Sequence, residues 1–293
     1  MERLGFLLPD FTRLAWVNDA ARSVWEPRFR RITRAWWEIE WRSVAAGLRP
    51  CAVVVASPDD LLGWPAVWLR QGLCFLPLEI QGAPEGSLVF RLVLGLPRDL
   101  AAFEEASRTQ DHAEVGRLLG HPACCYESFR RVWIEDGLVD ATWAMAVASS
   151  APEPGAAAIE VAGPPPANIL WRWMGIRAVP HLPCRADCGP SVQLGERMIE
   201  IGRTAGYAEE MEWLLDILSW PVEWSALHGI AEIKTPVVKV ATRTDATAVK
   251  YVVRRPGDRM PAEGAHGLGF PYRPPAHPRI ASRPATSNVQ EAS

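Results

Sequence analysis

Residues 120–129 read Gly-His-Pro-Ala-Cys-Cys-Tyr-Glu-Ser-Phe, and residues 180–190 read Pro-His-Leu-Pro-Cys-Arg-Ala-Asp-Cys-Gly-Pro. The first stretch carries Cys124 and Cys125, and the second, about sixty residues later, carries Cys184 and Cys188. Proline suits the first turn of a helix, so each stretch predicts a helix start, where free N–H groups and the helix dipole stabilise a thiolate. We therefore predict that the four cysteines form one metal or iron–sulfur site.

The number of ligands in this site is open on sequence alone. Adjacent helical residues point roughly 100° apart, so Cys124 and Cys125 are not expected to reach one metal easily unless the helix begins after them. A three-cysteine site is thus as plausible as a four-cysteine site, and His121 or His181 is a candidate further ligand. An open coordination position would favour catalysis, and a closed tetrahedron would favour a structural role.

Simpler interpretations of the cysteines exist. Cysteine is often a small buried hydrophobic residue, and we assign that role to Cys51 and Cys74, which occur singly in apolar runs. The long gap between the two cysteine stretches does not match zinc-ribbon or zinc-finger spacing. A vicinal disulfide between Cys124 and Cys125 is a minor alternative.

The two cysteine stretches resemble a prokaryotic family of unknown function. That family has a Gly-x-Pro-x-Cys-Cys-x-x-x-Phe stretch followed by a Pro-Cys-x-x-x-Cys stretch, matched here by residues 120–129 and 183–188. The resemblance covers roughly residues 115–205. It implies that the four cysteines form a matched set, and it implies no particular activity.

The composition indicates a water-soluble, reduced protein. The N-terminus lacks a signal-peptide pattern and no stretch of about 18 apolar residues exists, so we expect a cytoplasmic protein without a membrane contact. Residues 1–233 contain 21 Arg and no Lys against 30 acidic residues. Although Arg28, Arg30, Arg31 and Arg34 alternate with aromatic residues, this acidic excess makes nucleic acid an unlikely partner.

The hydrophobic patterns predict an α+β fold with a small N-terminal sheet layer, a helical cysteine-bearing middle and a C-terminal β-hairpin. We predict a helix over 27–46, opened by Pro27 after a weaker helical pattern over 11–25, and strands over 51–56, 73–80 and 88–94. The predicted divisions are an α/β region at 1–96, a helical region at 97–225 with a proline-rich linker at 150–166, a β-hairpin at 226–260, and a disordered tail at 261–293.

The predicted hairpin brings further candidate residues. Its strands cover 230–241 and 246–253, with Thr244-Asp245 between them. His228 and Lys234 flank the first strand and are candidate catalytic acid–base residues, although a surface ion pair is the commoner use of such residues.

Three functions fit these features. The first is an enzyme of small-molecule biosynthesis that uses an iron–sulfur cluster, such as 4Fe–4S, or zinc for redox or sulfur-transfer chemistry. The second is a zinc-structured binding module or accessory subunit without catalysis, whose tryptophan-rich N-terminal helix meets a protein partner. The third is a metal-free redox protein that uses the paired thiols.

Overall fold

Two β-sheets organise the chain in a computed structural model that describes residues 12–82, 88–245 and 247–264. The strands within these ranges are β1 (Thr12–Trp16), β2 (Cys51–Ala56), β3 (Cys74–Gly82), β4 (Leu88–Gly95), β5 (Ala158–Glu160), β6 (Val222–Leu227), β7 (Ile230–Lys234), β8 (Val238–Arg243) and β9 (Tyr251–Arg255). The α-helices are α1 (Asp19–Ala45), α2 (Pro58–Arg70), α3 (Pro97–Arg108), α4 (His112–Leu118), α5 (Ala123–Phe129), α6 (Thr142–Ser150), α7 (Gly189–Thr204) and α8 (Ala208–Leu218). This architecture confirms the predicted α+β class.

The smaller sheet has the antiparallel strand order β2-β4-β3. Its three strands lie where the β-branched and apolar runs predicted them. The helix α2 follows β2 directly, because Ser57 and Asp60 form a capping box in which each side chain bonds the other residue's backbone N–H. Buried Trp64 and Trp68 of α2 pack in the same apolar cluster as β2, β4 and α1.

The larger sheet has the order β1-β8-β7-β6-β9-β5 and joins strands from both ends of the chain. Its pairs are antiparallel except β5 with β9, which is parallel. Helices α1, α7 and α8 share its apolar core, where the Trp25 and Trp220 rings meet edge to face at 4.5 Å. Trp25 and Trp220 therefore belong to the core of the larger sheet.

The long helix α1 begins earlier than predicted. Asn18 caps it by accepting a hydrogen bond from the Ala21 N–H, and Pro27 lies inside the helix. The preceding residues form β1 and not a helix, because they pair with β8 in the larger sheet. Trp25 and Trp36 of α1 are buried in the core and are therefore not free to meet a partner.

The arginines of α1 are held by acidic residues of the same fold. Arg30 pairs with Glu26 at 2.9 Å, and Arg31 pairs with Glu209 at 2.7 Å. Arg34 pairs with the buried carboxylate of Asp60. These ion pairs reduce the positive charge of the arginine-rich face of α1 that would contact a nucleic acid.

The C-terminal hairpin is present, but its turn lies earlier than expected. The run over 230–241 breaks at residues 235–237, where the Thr235 hydroxyl accepts from the Val238 N–H at 3.0 Å. Strands β7 and β8 pair across this turn, and β9 crosses the sheet to pair with β6. The turn assigned to Thr244-Asp245 is therefore corrected to a connection between non-neighbouring strands.

The proline-rich stretch 150–166 packs onto the larger sheet instead of forming an open linker. It contains β5, and Ile159 and Val161 are buried. The predicted division of the chain into domains stays a prediction. Of the predicted tail, residues 265–293 lie outside the described residues. Within the described ranges, none of the helices combines the length and the apolar character that a membrane span requires.

Candidate metal centre

Two helix starts bring the four cysteines together. Pro122 is the N-cap residue of α5, which places Cys124 and Cys125 in its first turn. Cys188 is the N-cap residue of α7, and Cys184 lies in the irregular segment that leads to it. The prediction of a helix start is confirmed for Cys124, Cys125 and Cys188, whereas Cys184 lies ahead of the second helix.

The four sulfur atoms form one compact group. All four Sγ atoms lie within 4.8 Å of one another. The Sγ of Cys125 is 3.5 Å from that of Cys188 and 3.9 Å from that of Cys124, and Cys124 is 3.8 Å from Cys188. The four cysteines can therefore hold a metal ion between them.

Cys124 and Cys125 both reach this group, contrary to the expectation that adjacent helical residues diverge. Cα–Cβ bonds in a helix tilt toward its N-terminus, so two side chains of the first turn can converge on a point beyond the helix end. The two cysteines still differ in environment. Cys125 is buried and Cys124 is exposed.

Hydrogen bonds orient the sulfurs. The Cys184 N–H donates to the Sγ of Cys125 at 3.4 Å. The hydroxyl of Ser191 lies 3.2 Å from the Sγ of Cys125 and donates to the Sγ of Cys188 at 3.3 Å. Donors of this kind fix the orientation of metal ligands and stabilise negative charge on sulfur.

Burial and neighbouring groups shift the thiol pKa values in opposite directions. Burial raises the pKa of Cys125 well above its usual range, and burial and the neighbouring Cys188 raise that of Cys184 to about 12. At Cys188, burial raises the pKa, but hydrogen bonds with Ser191, Cys125 and Cys184 together outweigh this effect and lower the pKa. A bound cation would supply the charge that stabilises the remaining thiolates.

His121 and His181 lie beside the sulfur group and outside it. Their ring centroids are 5.3 Å apart, and the Nε2 of His181 lies 2.8 Å from the Ser191 hydroxyl. Burial lowers the pKa of His121 to about 4 and that of His181 to about 3, so both rings are neutral at pH 7. Among the described residues, the group suited to metal binding consists of the four cysteines alone.

A cavity of about 620 Å³ lies against the metal centre. Cys125, His121 and His181 form the part of its wall nearest the sulfurs, and Tyr126 of α5 continues it. This volume lies within the range of small-molecule sites, about 300–1,000 Å³. The sequence did not predict the cavity, because its wall is assembled from several separate segments.

His228 and Lys234 lie at opposite ends of β7, and neither lines the cavity. His228 and Gly229 have φ values of 49° and 79° and form the tight turn between β6 and β7. Lys234 pairs with Glu223 at 3.1 Å. These positions give no support to a catalytic role, which stays a prediction.

The remaining cysteines take no part in the sulfur group. Cys51 is fully buried and Cys74 is half-buried, and both lie opposite Gly95 in the smaller sheet. A Cβ at Gly95 would come within 2.9 Å of the Cys51 sulfur, so this part of the core is closely packed. The prediction that these two cysteines are core residues is confirmed for Cys51 and partly for Cys74.

Two residues of the site were not predicted from the sequence. Ser191 follows Cys188 by three positions, and this helical spacing placed it on the face of the sulfurs. Arg177, which lines the cavity, carried no comparable signal, because its acidic neighbour Glu40 lies far away along the chain.

The fold and the site define an α+β protein with a potential four-cysteine metal centre beside a cavity. The chain matches no protein-family model, and it has no significant match to a curated protein or to a solved structure.

Proposed function

We propose that Cys124, Cys125, Cys184 and Cys188 bind one Zn²⁺ ion in a closed tetrahedral site. The spacing of the sulfurs carries this proposal. Zn–S bonds of about 2.3 Å place the corners of a tetrahedron about 3.8 Å apart. The three measured sulfur separations of 3.5, 3.8 and 3.9 Å agree with that edge.

A closed site of four thiolates is structural, because no position is left for a substrate or an activated water. Here the ion would join α5 to the segment 175–188, which forms no helix or strand. The same segments form part of the cavity wall. We therefore infer a zinc-structured binding module in which the metal shapes a small-molecule site.

An iron–sulfur enzyme of small-molecule biosynthesis is the second candidate. The observation that favours it is the contact between the cavity and Cys125, which would bring a substrate close to the centre. The sulfur spacing favours a single ion, because a cluster distributes its thiolates over several irons and spreads them further apart. Redox or sulfur-transfer chemistry stays a prediction.

The cysteines also support a reducing location. The four cysteines of the proposed zinc site must be reduced in order to bind the ion as thiolates. Thiols persist in this form in the cytoplasm, which we propose as the location of the protein.

The test is elemental analysis and acid-labile sulfide determination on protein purified without oxygen. We expect a colourless protein with about one zinc and no sulfide per chain. A brown protein with several irons and matching sulfide would replace the zinc proposal with the iron–sulfur one. Protein without any bound metal would contradict both and leave the thiol redox function.

A further inference from the structure

The charged residues known to line the cavity beside the metal centre are basic. Arg91, Arg172 and Arg177 line it, and among the described residues no aspartate or glutamate does. The histidines of the wall nearest the metal, His121 and His181, are neutral at pH 7. A cavity with cationic and neutral polar groups in its wall favours a negatively charged ligand.

The charge of Arg177 is only partly compensated by its neighbours. Its nearest carboxylate oxygen, Oε1 of Glu40, lies 3.7 Å away, beyond hydrogen-bond range. Glu40 is already bonded to Arg49 and to the indole N–H of Trp36. One carboxylate therefore faces two guanidinium groups, and the pair of arginines keeps a net positive charge.

The Nε of Arg177 is buried and has no hydrogen-bond partner within the described parts of the chain. The Arg177 side chain as a whole is 41% exposed, so the terminal nitrogens of its guanidinium group are accessible to a ligand in the cavity. Arg172 behaves differently, because it donates to buried Asp140 at 2.9 Å. Its charge is neutralised inside the protein.

Another part of the cavity wall is aromatic. The rings of Phe129 and Trp133 stack at 5.6 Å with an interplanar angle of 15°, and both line the cavity. They are 37% and 43% exposed, which is high for large apolar side chains. Trp133 lies in the π-helical turn Arg130–Glu135, and such turns occur frequently at functional sites.

From these observations we propose that the cavity binds a small molecule that combines an oxyanion, carboxylate or phosphate, with a flat apolar group. Arg177 binds the oxyanion, and Phe129 with Trp133 covers the flat group. The charge-assisted bidentate contact supplies orientation, and the aromatic wall supplies apolar contact area. This binding role goes beyond the proposed zinc site and does not depend on the identity of the metal.

Isothermal titration calorimetry on the protein as purified tests the proposal with three probes. They are 2-naphthoate, 2-naphthyl phosphate and the neutral 2-naphthamide. We expect at least one anion to bind about tenfold or more tightly than the amide, as a charged hydrogen bond requires. The anion that binds more tightly identifies the source of the oxyanion. Equal binding of all three probes, or no binding by either anion, would overturn the proposal.

Variants connect this preference to Arg177. Arg177→Gln should lower the affinity for the anion about tenfold and leave the affinity for the amide unchanged. Arg177→Lys keeps the charge without the planar guanidinium group, so its affinity for the anion should lie between those of the parent and of Arg177→Gln. Arg197→Gln on the exposed part of α7 is the matched control and should bind like the parent protein. Metal content measured on every variant separates a failed ligand site from a failed metal site. An Arg177→Gln protein that folds, keeps its metal and binds the anion at parental affinity would refute the assignment.

Discussion

Replacing Cys188 with serine tests the metal centre through both metal content and stability. Cys188 is a buried corner of the sulfur group, 3.5 Å from Cys125 and 3.8 Å from Cys124. A serine hydroxyl stays protonated at neutral pH and is a poor zinc ligand compared with a thiolate. We expect Cys188→Ser to lose the metal, while Cys74→Ser, a matched change in the smaller sheet, keeps it.

The size of the stability change follows from the cross-link that the ion provides. An ion shared by Cys125 and Cys184 closes a loop of about 60 residues. If the ion acts like a covalent cross-link on the unfolded chain, loop-closure entropy gives about 4 kcal/mol of stabilisation. For a chain of this size, that corresponds to a fall in Tm of about 8 °C when the metal is lost.

The assay combines calorimetric unfolding with metal analysis of the same samples. A strong chelator should lower the Tm of the parent protein and of Cys74→Ser by about the same amount, and it should leave the Tm of Cys188→Ser unchanged. This comparison separates metal loss from the packing effect of serine. The reasoning fails if Cys188→Ser retains metal at the parental level, or if chelation leaves the parental Tm where it was.

Two further predictions concern neighbouring residues. Cys124→Ser and Cys125→Ser should both lose metal. Cys125→Ser should be the less stable of the two by about 1 kcal/mol in urea unfolding, because it disturbs buried contacts with Ser191 and the Cys184 N–H. Identical unfolding curves for the two variants would contradict this expectation. The second prediction concerns His121, whose pKa burial and Arg49 lower to about 4 from an ordinary 6.5. Below pH 6.5 the unfolded chain takes up a proton that the folded protein does not, so stability falls as pH drops toward 4. His121→Gln should reduce this loss of stability between pH 6.5 and 4 by up to about 3 kcal/mol. The free energy of unfolding is measured by urea unfolding across this pH range. If its pH dependence is the same in the variant and the parent, His121 does not have the lowered pKa.

Local signals in the sequence predicted the local parts of this structure. The capping box at Ser57 and the apolar runs of the smaller sheet depend on residues close together in the chain, and the structure has them where they were expected. The helix starts at Pro122 and Cys188 were found for the same reason. Convergence of the four cysteines was inferred only because both pairs were placed at predicted helix starts.

Features that depend on distant partners were missed. Residues 12–16 have a weak helical pattern, yet they become β1 because β8 offers an edge from the other end of the chain. The break at Thr235 was overlooked because β-branched residues continue on both sides of it. The cavity wall also depends on long-range packing, since Arg177 lies beside Glu40 of α1 and that carboxylate is shared with Arg49.

The four-cysteine group and the cavity are built from the same segments of the chain. Seven residues of α5 carry two of the sulfur ligands and, through Cys125, Tyr126 and Phe129, part of the cavity wall. On the opposite side, His181 lines the cavity and contacts Ser191, which bonds two of the sulfurs. An ion that fixes the sulfurs therefore also fixes the wall, which lowers the entropy that a ligand would lose by ordering it. Because coupling between two binding equilibria is reciprocal, we expect a ligand in the cavity to strengthen metal binding if the metal strengthens ligand binding.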